Sequence, residues 1–264
     1  MAAKPAWAIE RERARRASRG ETLWIFGLHA VRAALENPDR DRHRLVLTRN
    51  AAERLGLDLA ELSPAPEISD PRRFAAPLEP DAVHQGAALE TSPLVWPSVS
   101  EVTAPGDGCP TVVLLDRVSD PHNVGAILRS AEVFGARAVI APRRHSAPET
   151  GALAKAASGA LERMPYLRVP NLSRAIEALR ASGYFFLGLD GASELNIATG
   201  VDFGAARPLA IVLGSEGAGL RHLTTRLCDR MASIPSAGPF GSLNVSNAAA
   251  VALYAASTRK PDQT

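Results

Sequence analysis

From Thr22 onward, short apolar runs alternate with stretches in which apolar residues recur every three or four positions, the pattern of strands interleaved with amphipathic helices. Leu23–Phe26 reads as a strand, Gly27–Leu35 as a helix that ends before Pro38, and Arg44–Thr48 as a second strand. A helix is predicted over Ala52–Leu57, a Pro-rich stretch over Ser63–Pro71, and a further strand over Ala87–Glu90, after His84-Gln85-Gly86. Pro93, Pro97, Pro105 and Pro110, with Gly106 and Gly108, mark residues 92–110 as a linker, since few hydrogen-bonded elements survive that density of breakers. Beyond it, strands are predicted at Thr111–Leu115, Ala138–Ile140, Tyr166–Val169, Tyr184–Leu189, Leu209–Leu213 and Arg230–Ile234. Helices are predicted at Val124–Phe134, Ala152–Ser158, Ser173–Ala181, Leu220–Leu227 and Asn247–Ala256. Strands that are apolar throughout and separated by helices predict a parallel sheet covered on both faces, so the fold class is α/β.

At 264 residues the chain has room for two modest domains. The pattern divides it into a tail at 1–20, a small α/β unit at 21–91, the linker at 92–110 and a parallel-sheet domain at 111–260. Hydrophobic content of 46% beside 22% charged residues is ordinary for a globular protein. Aromatics at 5% argue against broad base-stacking platforms. A net charge of +2 says nothing about nucleic acid, but its distribution does. Lys4, Arg11, Arg13, Arg15, Arg16 and Arg19 face only Glu10 and Glu12 in the tail, which reads as disordered. Such a tail attracts phosphates without sequence preference, or is merely solvated. No apolar stretch approaches a membrane span, and the N-terminus lacks the apolar core of a secretory signal. Cys109 and Cys228 are the only cysteines, which fits a reducing, cytoplasmic compartment. The six histidines show no paired metal spacing, so no metal site is expected.

Three segments carry candidate chemistry. In Ile234–Asn247, Pro235, Gly238, Pro239 and Gly241 set an unusual path between a strand and an Ala-rich helix. Ser242, Asn244, Ser246 and Asn247 follow, although a plain N-cap would need only one of them. Gly214-Ser215-Glu216-Gly217-Ala218-Gly219 follows an apolar strand and precedes a helix. Its glycines lack both the dinucleotide and the phosphate-loop spacing, so a plain turn and a cofactor loop stand even. A Glu here is also favourable simply as a negative charge near a helix N-terminus. In Asp116–Ala136, Asn123 opens a helix, where it serves as an N-cap or helps to hold an anion. Arg129 interrupts the apolar residues Val124, Ile127, Leu128, Ala131 and Val133. Lys155 and Ser158-Gly159-Ala160, after the basic loop Arg143-Arg144-His145, either meet RNA or are solvated.

In this order and spacing, the three segments resemble the three motifs of the SpoU (TrmH-like) ribose 2′-O-methyltransferases, of the SPOUT superfamily. The resemblance covers roughly the last three fifths of the chain. It implies a trefoil-knotted parallel-sheet methyltransferase domain, S-adenosylmethionine as cofactor, no metal, and a homodimer to which the helix Asn247–Ala256 contributes. It places the cofactor against Gly214, Ile234 and Leu243, largely through backbone groups, with Glu216 and Pro235 beside them. It makes Arg129 the leading catalytic residue, with Asn123, Glu216, Ser242 and Asn244 as the others. An arginine is a poor base because its guanidinium stays protonated, so a clamp on phosphate or hydroxyl suits it better. Ile25–Val31 and His84-Gln85-Gly86 resemble the small, ribosomal-protein-like RNA-binding domain of the rRNA-modifying branch. That branch implies methylation of a guanosine of large-subunit (23S) rRNA. The alternatives are a tRNA ribose methyltransferase and a non-catalytic RNA-binding or ribosome assembly factor.

Overall fold

The computed structural model describes residues 21–104, 109–238 and 243–259; the basic tail, part of the linker and Ser242 lie outside these. The elements begin β1 (Leu23–Phe26), α1 (Leu28–Glu36), β2 (Arg42–Leu47), α2 (Arg49–Leu55), β3 (Pro66–Ile68) and β4 (Ala87–Thr91). Then come α3 (Val99–Val102), β5 (Thr111–Asp116), α4 (Pro121–Val133), β6 (Val139–Pro142), α5 (Gly151–Ala157) and β7 (Tyr166–Val169). The order closes with α6 (Leu172–Ala181), β8 (Phe185–Leu189), α7 (Ile197–Asp202), β9 (Leu209–Gly214), α8 (His222–Arg226), β10 (Arg230–Ala232) and α9 (Val245–Thr258). Packing divides them into two units: residues up to Pro97 together with Pro148–Arg163, and Ser98–Ala147 together with Met164 onward. The segment 148–163, inside the second domain by chain order, groups with the first unit. None of the helices among the described residues is long and apolar enough to cross a membrane.

In the first unit the sheet order is β1-β4-β2-β3, with β4 antiparallel to both β1 and β2, and β3 parallel to β2. The sequence pattern missed β3, which opens on Pro66 at the sheet edge, where a missing N–H does no harm. Helix α2 starts at Thr48, whose hydroxyl accepts from the Ala51 N–H, and stops at left-handed Gly56 (φ 62°). The predicted Ala52–Leu57 was therefore late at both ends. Helix α5 lies hard against β1. A Cβ on Gly151 would stand 2.2 Å from the Trp24 carbonyl oxygen and 2.5 Å from the Phe26 ring.

Arg40 ties this segment down with a fully buried side chain. Its Nη2 and Nε donate to Glu162 at 2.6 and 3.0 Å, and its Nη1 donates to Glu149 at 2.6 Å and to the Ser92 carbonyl at 2.8 Å. Burial works against the Arg40 charge, but the two carboxylates outweigh it and hold its pKa above the ordinary value. Burial pushes the Glu149 carboxyl upward, with Arg40 opposing. Removing one partner of such a group leaves uncompensated buried charge. Arg40→Ala is therefore expected to lower the unfolding free energy by about 3–5 kcal/mol. Urea unfolding followed by tryptophan fluorescence reads this, since Trp24 and Trp96 both lie in this unit.

The second unit is built on six parallel strands in the order β10-β8-β9-β5-β6-β7. β5 and β9 pair from Thr111↔Leu209 to Asp116↔Gly214, and nearly every residue of both is buried. Their unbroken apolar runs are what strands with two covered faces require. The chain runs outward through β6 and β7, then returns to lay down β8, β9 and β10 on the other side of β5. The carboxyl ends of β5 and β9 thus meet where the strand order reverses, the usual place for a ligand crevice in an open α/β sheet. α9 packs on α4, α7 and β9. Two short helices escaped the sequence pattern. One is α7, capped by Asn196; the other is α3, inside the Pro-rich linker, where Ser98 and Glu101 form a capping box.

Candidate active site

Past Asp116 the chain turns through Arg117, which has a positive φ of 65°. Asp120 then caps α4, its Oδ1 accepting from the His122 N–H at 2.9 Å, and Pro121 supplies the first helical residue. Asn123, relieved of capping, sits buried in the first turn. Past Gly214 the loop doubles back on itself. The Ser215 and Gly219 backbones exchange hydrogen bonds of 3.2 and 2.9 Å, and Gly217 and Gly219 have φ of 77° and 65°. A Cβ on Gly214 would stand 2.1 Å from the Gly219 carbonyl carbon, so only glycine lets this loop close.

These two segments meet the start of α9 in one hydrogen-bonded network. Asn123 Nδ2 donates to Glu216 Oε1 at 3.1 Å. Asn244 Nδ2 donates to the same oxygen at 2.6 Å and to Asn123 Oδ1 at 2.9 Å. Asn244 Oδ1 meanwhile caps α9, accepting from the Ser246 N–H at 2.8 Å and its hydroxyl at 2.6 Å. The cap before α4 is thus Asp120 and not Asn123. Glu216 lies in the loop, well before α8 opens at His222. Both amides bond to Oε1, so the second carboxylate oxygen keeps its accepting capacity. Arg129 stands apart: it is exposed on α4 and makes no hydrogen bond or ion pair to another described residue.

Beside the network opens a cavity of about 920 Å³, of a size for a small molecule. Gly214, Glu216, Ile234 and Leu243 line it; Pro235 does not, although its neighbours Ile234 and Ser236 do. Sequence reasoning missed the wall at Leu189–Ala192, for which the Asp190-Gly191 pair after an apolar strand was the available signal. It also missed the anchor beneath the loop. Asp116 is completely buried, accepting from the Arg221 N–H at 3.1 Å and from Arg221 Nε at 2.7 Å. A carboxylate closing an otherwise apolar strand was the available signal. Lys155 belongs to the first unit, with its Nζ 5.8 Å from the Phe26 ring centroid. Ser158 there ends α5 in the left-handed region. Among the described residues no three His, Cys, Asp or Glu are grouped to hold a metal ion.

Residues 110–254 match the SpoU rRNA Methylase family. This chain belongs to that family. It is 37% identical over 246 residues to the 23S rRNA (guanosine-2′-O-)-methyltransferase RlmB of Vibrio cholerae, an alignment covering 88% of this chain and 95% of the relative. It is 36% identical over 243 residues to an uncharacterised tRNA/rRNA methyltransferase of Synechocystis, covering 87% of this chain but 61% of that longer relative. The fold is shared with the SpoU methyltransferase AviRb from Streptomyces viridochromogenes, whose crystal structure contains the cofactor AdoMet. The TM-score is 0.74 at 24% identity, over 97% of this chain and all of the other. In this SpoU-family chain the Asp116–Arg221 anchor predicts a measurable cost. Asp116→Ala is expected to destabilise the fold by about 1.5–3 kcal/mol, the range for hydrogen bonds to a charged group. It should also speed amide exchange across Gly217–Leu220, whereas Asp116→Asn, which keeps one acceptor, should cost less.

Proposed function

We propose that this protein transfers a methyl group from S-adenosylmethionine to the ribose 2′-hydroxyl of a guanosine in 23S rRNA. The observation that carries the proposal is the Asn123–Glu216–Asn244 network at the rim of a cavity outside the carboxyl ends of β5 and β9. The naming of the Vibrio cholerae relative supports the reaction and the rRNA target. The cavity suits the cofactor: Gly214, Gly217 and Gly219 of the loop leave backbone groups open, and Leu189, Ile234 and Leu243 offer apolar surface. Bound there, S-adenosylmethionine supplies a methyl carbon whose bond to the sulfonium sulfur breaks onto sulfur as oxygen attacks.

The residues of this chain have the remaining tasks. The 2′-hydroxyl is a weak nucleophile until its proton begins to leave, so positioning and a proton acceptor are needed. Arg129 clamps the neighbouring phosphate and hydroxyl through its planar fork of donors, and a phosphate oxygen takes the proton. Asn123, Asn244 and Glu216 orient the ribose, and Ser242 joins them by its place in the motif. The α/β unit around β1–β4 reads the RNA, a role in keeping with its exposed Arg32 and Arg49. The trefoil knot of this reading rests on family membership. A second copy docks on the apolar surface of α4 and α9, where Val133 and Tyr254 are 75% and 59% exposed. Sedimentation at micromolar concentration checks that, and a monomer would contradict it.

Arg129 gives the decisive kinetic test. With a 23S rRNA fragment and cofactor both saturating, Arg129→Ala should cut the single-turnover rate by about a thousandfold or more. Cofactor affinity should be unchanged, and Arg129→Lys should rescue poorly. Near-wild-type turnover at saturation would reduce Arg129 to docking alone. Faster methylation of tRNA than of the rRNA fragment would move the proposal to the tRNA-modifying branch.

A further inference from the structure

Among the described residues that line the cavity, the charged side chains all have one sign. Its charged lining residues are Asp190 and Glu216; no lysine, arginine or histidine is among them. Glu216 is bonded to the neutral amides of Asn123 and Asn244, which leaves its charge uncompensated. Asp190 lies just past β8 on the opposite wall. Among the described residues its side chain accepts only from the Ala192 N–H, at 3.0 Å, while its own N–H donates to the Ala232 carbonyl at 2.9 Å. The nearest strong cation in sequence, Arg221, is occupied with the buried Asp116. A ligand in this cavity therefore meets formal side-chain charges of negative sign.

The two forms of the proposed cofactor differ in the property that such a field reads. S-adenosylmethionine carries a sulfonium and an ammonium against one carboxylate, a net charge of +1. The thioether left after methyl transfer has lost the sulfonium charge and is neutral overall. The two are otherwise nearly the same shape, so backbone contacts and apolar walls hold both about equally. Charge is the available discriminator. We propose that Asp190 is a specificity-determining residue that makes this cavity prefer the sulfonium cofactor to its spent thioether, which favours product release after each turnover. This rests on assigning S-adenosylmethionine to the cavity, as above.

Asp190→Asn isolates the charge, because asparagine keeps the oxygen that accepts from the Ala192 N–H. Titration calorimetry at low salt on the full chain would use three probes. These are S-adenosylmethionine, S-adenosylhomocysteine and sinefungin, which carries an amine cation near the sulfonium position. The wild type should bind both cationic ligands more tightly than the thioether. Asp190→Asn should narrow that preference by about fivefold, by weakening the two cations and leaving the thioether nearly unchanged. Added salt should narrow it in the wild type as well. Equal weakening of all three ligands would make Asp190 a loop-holding residue and overturn the proposal, as would an unchanged preference. A folded wild type that binds none of the three would overturn the cofactor assignment itself, and this inference with it.

Discussion

One carboxylate oxygen holds the site together. Glu216 Oε1 receives the amides of Asn123 and Asn244, so the loop after β9, the first turn of α4 and the cap of α9 share a single acceptor. Hydrogen bonds to a charged group are stronger than neutral ones. None of the three segments holds this arrangement alone. The loop closes only because Gly214 lacks a side chain, α4 is free to offer Asn123 because Asp120 already caps it, and Asn244 caps with its oxygen while donating with its nitrogen. Each residue type is thus set by what its neighbours leave undone.

The sheet explains why these segments meet. β5 and β9 are adjacent and parallel, and they end together at Asp116↔Gly214, so the loops that follow emerge side by side. The buried Asp116 then grips Arg221 at the far end of the loop, fixing it from below while Glu216 fixes it from the side. A rigid apolar sheet supplies position, and the loops at its end supply the polar groups. The same division leaves the cavity wall free to carry charge, which is where Asp190 enters.

The strands of the second unit were legible because β5 and β9 are apolar at almost every position, a demand of burial on both faces. The residue types of the network were legible too, through the three ordered motifs, but their meeting was not. Asn123 and Glu216 are 93 residues apart, and periodicity reports only what happens within a few turns. The same limit hid the grouping of Pro148–Arg163 with the N-terminal unit, which rests on Arg40 and on carboxylates 109 and 122 positions away. α7 is too short to show a period, and β3 opens on a proline that suits only an edge. Asn244 was recognised as one of several possible caps; its second role, as donor to Glu216, needed coordinates.

Methyl transfer to a ribose oxygen at this site is open to direct measurement. Large-subunit rRNA lacking its native methyl groups, incubated with the protein and S-adenosylmethionine carrying a deuterated methyl, can be digested to nucleosides and read by mass spectrometry. Deuterium is expected in the ribose fragment of 2′-O-methylguanosine, at about one methyl group per rRNA molecule. Label in the base fragment, or none in the presence of folded, cofactor-bound protein, would contradict it.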